Sequence, residues 1–191
     1  INSGGAFNLG ASETVGTITG AGNITLGSNT LTTNGTGNYT FSGGISGTGG
    51  LTKNGTGILT LSGSNAYSGT TTLNAGTLNV INANAIGSGT LTITGGTIDN
   101  TSGSAITLAT NNAQNWNGDF TFAGTNNLNL GSGTITLGAN SAVTISSGTL
   151  TSSGAISGAY SITKNGAGTL DIGGVNRSSG TIWSGGSIVI N

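Results

Sequence analysis

The sequence predicts an all-β chain wound as a parallel β-solenoid, and three observations carry that expectation. Short runs alternate an aliphatic or aromatic residue with Thr or Asn. Glycine-rich punctuation separates the runs, whose starts lie about six to nine residues apart, so three strands and three corners fill roughly 20–25 residues. A long phrase also recurs: residues 43–62 read GGISGTGGLTKNGTGILTLS and residues 154–173 read GAISGAYSITKNGAGTLDIG, matching at ten of twenty positions without a gap. By the coil estimate the chain holds about eight coils and forms one continuous segment over residues 1–191, with residues 23–80 similar to 134–190 at an interval of about 111 residues and one corner of the second copy a residue shorter.

The runs come in order along the chain. Ile24-Thr25-Leu26, Leu59-Thr60-Leu61, Leu78-Asn79-Val80 and Leu91-Thr92-Ile93 occupy the first half. Ile106-Thr107-Leu108, Phe120-Thr121-Phe122, Leu128-Asn129-Leu130, Ile135-Thr136-Leu137, Val143-Thr144-Ile145 and Leu170-Asp171-Ile172 follow. Each has the period of two that sends alternate side chains to opposite faces of a sheet. Thr and β-branched aliphatics suit a pleated, half-buried surface. Helix signals are nearly absent, because Gly interrupts almost every stretch and costs a helix interior about 1 kcal/mol. An antiparallel sandwich is the rival, but it wants strands at spacings of about 8–12 residues.

Charge is scarce. Only 4% of residues are ionisable as Asp, Glu, Lys or Arg and the net charge is −1, so no electrostatic footprint for nucleic acid or an anionic membrane exists. In a parallel stack identical positions lie one above another, where like charges repel and Thr and Asn do not. The scarcity of charge is therefore a property of the expected architecture. The chain has no Cys, His, Met or Pro. Thiolate metal sites and disulfides are excluded, and a serine nucleophile has no imidazole base. No apolar run approaches the ~20 residues of a spanning helix, so membrane insertion of this segment is not expected. The chain opens on Ile1 without a charged, apolar leader, and reads as a piece of something longer.

Residues 49–80, GGLTKNGTGILTLSGSNAYSGTTTLNAGTLNV, closely resemble the autotransporter-associated β-strand repeat, whose pattern runs through G-x-L-T-K-x-G-x-G-T-L to N-x-Y-x-G-x-T and a closing G-T-L. The second copy, from Ile162 to Ile190, departs from the pattern after Gly173, with Asn176-Arg177-Ser178 in place of Asn-x-Tyr. The resemblance implies a right-handed parallel β-helix exported by a bacterium to its surface or surroundings, with no catalytic residue and no cofactor.

Candidate contacts are few. Lys53 and Lys164 hold matching places in a Thr-Lys-Asn-Gly corner and are candidates for an anionic glycan or a partner carboxylate. Tyr39, Tyr67, Trp116, Tyr160 and Trp183 are candidate sugar platforms, since a ring face presents apolar area beside a polar tip. Asp99 and Asp119 are separated by about the length of one coil and would stack if a single turn joined them. Thr-x-Thr triplets include those at Thr17, Thr30, Thr90, Thr134 and Thr149; the irregular gaps between these read as unrelated to one coil, so no flat threonine face of the ice-binding kind is expected. The functional expectation is a non-enzymatic stalk, sheath or filament element that associates end to end. An adhesin binding glycans through its flank is the alternative.

Overall fold

Aliphatic–Thr alternation over three or four residues, stopped by Gly or Asn, leaves strands too short to pair as hairpins and long enough to stack. The computed structural model, which describes residues 1–173 together with Ile182–Trp183 and Ser187–Ile190, contains 24 strands and no helix among these residues. Every strand pairing among them is parallel. The expected solenoid is the architecture observed.

Three sides make up each turn. The first sheet has eight strands, from Glu13–Val15 and Leu31–Thr33 through Leu51–Lys53, Thr71–Leu73, Leu91–Ile93, Gln114–Trp116 and Ile135–Leu137 to Ile156–Ser157. The second also has eight, from Asn38–Phe41 through Ile58–Leu61, Thr77–Val80, Thr97–Asp99, Phe120–Phe122, Ser141–Ile145 and Ile162–Asn165 to Ile182–Trp183. The third side is discontinuous. It carries a three-stranded sheet (Ala6–Asn8, Asn23–Thr25, Ile45–Ser46) and later a five-stranded one running from Ile106–Thr107 to Ser187–Ile190. Eight rungs at about 4.8 Å each give a rod near 40 Å long.

The core is a filled interior. Inward residues stack in columns such as Leu31, Leu51, Thr71, Leu91 and Leu78, Ile98, Phe122, and most of them are fully buried. Each turn fills its cross-section with aliphatics, so a turn is stabilised by its neighbours above and below and would not stand alone.

Turn length is uneven. In the first sheet Glu13 lies opposite Leu31, Leu31 opposite Leu51, Leu91 opposite Gln114 and Ile135 opposite Ile156, so no fixed number of residues makes a turn. This unevenness moves the second copy of the long repeat. Leu51–Lys53 lies in the first sheet, but its counterpart within Ile162–Asn165 lies in the second. Ile58–Leu61 lies in the second sheet and Thr169–Ile172 on the third side. Ile45–Ser46 lies on the third side and Ile156–Ser157 in the first sheet. The sequence repeat is therefore five turns plus one side, and its second copy is rotated by one side about the axis.

The same register corrects the reading of the threonines. The interval from Thr30 to Thr90 spans three turns, and that from Thr90 to Thr134 spans two. Thr30, Thr90 and Thr134 thus fall in one outward column of the first sheet. Beside it Thr14, Thr32, Thr52, Thr72 and Thr92 occupy five consecutive rungs, and Asn115, Thr136 and Ser157 continue the line. The threonine face that the gaps seemed to exclude is present.

Candidate functional site

The corner lysines point inward. Lys53 shares its column with Thr33 and Leu73, and Lys164 shares one with Val143. Their stems run in the core and both residues are buried, at 3% and 0% exposure. The Lys53 ammonium donates to the Gly55 carbonyl of its own corner and to the Ala75 carbonyl of the next turn, 3.2 Å away. The Lys164 ammonium donates to the carbonyls of Asn165 at 3.1 Å and Gly166 at 2.7 Å. Each head satisfies corner carbonyls that the ladder leaves over. Gly76 makes room for the first of these: it sits at φ 66°, and a Cβ there would meet the Lys53 Nζ at 2.5 Å. Burial lowers the pKa of both ammonium groups. Neither lysine presents its charge to a glycan, because its ammonium is turned onto backbone.

The corner after Leu61 is closed by side chains. Asn65 is 4% exposed; its carboxamide accepts from the Ile45 N–H at 2.8 Å in the turn before and donates to the Ala85 carbonyl at 2.5 Å in the turn after. Its backbone N–H donates to the Asn84 carbonyl at 3.0 Å. The side-chain amide thus behaves as an extra peptide unit, carrying the ladder from the Ile45–Ser46 strand into the turns where the third side has no strand. Two residues on, Tyr67 is fully buried. Its phenol lies 2.5 Å from the Thr71 hydroxyl, which donates in turn to the Ile86 carbonyl at 2.9 Å. The Thr71 proton is committed to Ile86, so the Tyr67 hydroxyl is the donor of the pair.

The remaining aromatic candidates scatter. Trp116 is fully buried; its indole N–H donates to Gln114 Oε1 at 3.2 Å, Gln114 Nε2 donates to Ser152 Oγ at 2.7 Å, and its ring meets Phe120 edge-on at 5.1 Å. Tyr39 is half-buried on the inward column with Leu59, its ring beside Gly35 and Gly37. Tyr160 is 43% exposed. The Trp183 side chain and the Asn176-Arg177-Ser178 stretch lie outside the described residues. Tyr67 and Trp116 are corrected from platforms to plugs, since a ring sealed in the core offers no face to a sugar. Among the described residues nothing brings the other six candidates into one site.

The acids do not pair either. Thr97 is opposite Thr121, so Asp99 aligns with Ala123 and Asp119 with Gly95, four residues apart along the strand direction. Asp99 accepts from the Thr125 N–H at 3.0 Å and the Thr125 hydroxyl at 2.6 Å. Asp119 accepts from the Ala142 N–H at 2.7 Å, on the edge of an open hollow of about 420 Å³. Among the described residues no group of three His, Cys, Asp or Glu is placed to hold a metal ion.

These corners fall inside two stretches that match one family model. Residues 51–80 and 162–190 both fit the passenger-associated-transport-repeat. The family model thus matches the chain at two places. No curated protein and no solved structure gave a significant match. Within the first matched stretch Lys53 caps a corner, Asn65 extends a ladder and Tyr67 fills the core beside Thr71. Sequence reasoning missed the roles of Asn65 and Thr71; the Asn-x-Tyr spacing was visible, but the pairing of Tyr67 with Thr71 comes from the fold. With the two copies aligned, Asn176 takes the place of Asn65 and Ser178 that of Tyr67.

The repeat's tyrosine makes stability depend on alkaline pH. Burial raises the Tyr67 phenol pKa, and its bond to Thr71 opposes that only in part. A raised folded-state pKa means the contribution is complete below the unfolded value of about 10 and falls as pH rises beyond it, by about 1.4 kcal/mol per unit. The buried lysines act in the opposite sense and chiefly below their ordinary value of about 10.4, so the comparison must isolate the phenol. Urea midpoints of the wild type and Tyr67→Phe, measured from pH 8 to 11, are expected to converge or cross as pH rises. Parallel curves would remove the phenol from the account.

Proposed function

We propose that this chain is a non-enzymatic structural span of an exported bacterial surface protein. In this reading it provides reach and cohesion as part of a stalk, sheath or filament. The observation that carries the reading is the commitment of its polar groups to one another. The corner lysines, Asn65, Asp99 and the Gln114–Trp116 pair all serve contacts within a turn or between turns. Two eight-stranded parallel ladders run the length of the rod, which suits a load-bearing element. The passenger-associated-transport-repeat supports placement in a secreted passenger region at the cell surface or beyond it.

End-to-end association is part of the proposal. Ala6–Asn8 is an exposed strand with a neighbour on one side, and Phe7 is 37% exposed. Such an edge pairs readily with another strand, and Phe7 and Val15 supply apolar area around it. Electron microscopy of the concentrated protein is expected to show filaments one solenoid wide. Sedimentation that returns only monomer at every concentration would overturn the end-to-end part. Glycan-dependent attachment to surfaces without filaments would favour an adhesin instead.

A further inference from the structure

The outward face of the first sheet carries a two-column array of hydroxyls, and we propose that it binds crystalline water, the surface of ice. Thr32, Thr52, Thr72 and Thr92 stand on four successive rungs. Thr30, Thr70 and Thr90 stand two residues upstream on three of those rungs. Thr32, Thr52, Thr72 and Thr92 are all partly exposed.

Three properties of the array point to a lattice of water. The first is repeat distance. Rungs are about 4.8 Å apart and alternate residues along a strand about 6.6 Å apart. Both are close to oxygen–oxygen repeats of hexagonal ice, and the parallel register holds them over successive turns. The second is rigidity: Thr has restricted χ1, which limits the directions its methyl and hydroxyl can take on each rung. The third is availability. Thr33, Thr71 and Thr94, also at strand ends or corners, bond within the chain. The Thr92 hydroxyl accepts from the Asn115 carboxamide N–H at 3.4 Å, whereas among the described side-chain hydrogen bonds none uses the hydroxyl of Thr32, Thr52 or Thr72. These hydroxyls are left to solvent in an ordered grid, with methyls between them that discourage liquid-like hydration.

Other occupants fit less well. The two columns contain no ionised side chain, which disfavours polyanions and charged peptides. They contain no aromatic ring, which disfavours sugar stacking. Eight rungs by two columns offer roughly 400 Å², about half of what each partner gives to a stable protein pair. A neutral periodic solid needs neither charge nor ring.

The test uses the whole chain and does not depend on its assembly. The purified protein is expected to depress the freezing point below the melting point of a seed crystal, and to stop recrystallisation of polycrystalline ice. Thr72→Tyr places a bulky ring in the middle of the array on the solvent side, where the fold tolerates it. This variant is expected to lose most of the activity with an unchanged circular dichroism spectrum. Thr144→Tyr, outward on the second sheet, is expected to keep it. A wild type with no effect on ice growth would overturn the proposal, as would a Thr72→Tyr variant of full activity. A soluble dimer that Thr72→Tyr dissociates would give the face to a second copy and overturn it equally.

Discussion

Trp116→Ala is expected to lower stability by about 3–5 kcal/mol, the range for removing a large buried aromatic side chain. Two losses add. The indole is fully buried and leaves a cavity that turns above and below cannot close, because each is fixed by its own ladder. Its N–H is also the donor to Gln114 Oε1, so the variant strands a carboxamide oxygen in the core, where Gln114 is 1% exposed. The Phe120 ring loses its edge-on partner as well. Trp116→Phe separates the two losses, since it keeps most of the volume and removes the donor. Thermal melts by circular dichroism are expected to fall on the order of 10 °C for the alanine variant and by a smaller amount for phenylalanine. An alanine variant that melts with the wild type would mean that this cross-section repacks freely.

Asn65→Ala is the second large effect. It removes one side chain and orphans two buried backbone groups, the Ile45 N–H and the Ala85 carbonyl. Each buried group left without a partner costs about 1–3 kcal/mol, so the expected loss for the two is about 2–6 kcal/mol. Asn65→Asp tests the geometry: a carboxylate still accepts from Ile45 but has no N–H for Ala85 and places a charge inside. It is expected to be at least as damaging at neutral pH and milder in acid, where protonation restores a donor. The effect should be local, because solenoid stability is passed between neighbouring turns. Hydrogen exchange is expected to speed up at amides near Ile45 and Ala85 and to remain slow around Val143. Uniform exchange throughout the chain would show a single cooperative unit in place of coupled turns.

Much of this molecule was legible in its residues. Alternation in runs such as Leu91-Thr92-Ile93 and Phe120-Thr121-Phe122 marked inward and outward positions, and the shortage of charge agreed with a parallel stack. Three things were not legible. Turn length varies with the corners, so the interval from Thr90 to Thr134 gave no sign of being two turns until the register placed those residues together. The burial of Tyr67 and Trp116 could not be read, since an amphipathic ring serves a surface or a core equally well and the deciding partners, Thr71 and Gln114, come from the fold. Lys53 looked like surface charge because lysine usually is; its inward direction follows from strand parity, while its satisfaction by Gly55 and Ala75 depends on how two successive corners overlap.

The rotation of the repeat by one side has a consequence for any longer chain built the same way. If further copies followed at the same interval, each would appear a third of a circuit round from the last, and the fourth would again lie above the first. Whatever a copy displays would then trace a thread around the shaft, like the flight of a screw, accessible from every direction of approach. A cylinder decorated in that way has no preferred front, and neighbours packing against it would meet the same chemistry however they were turned.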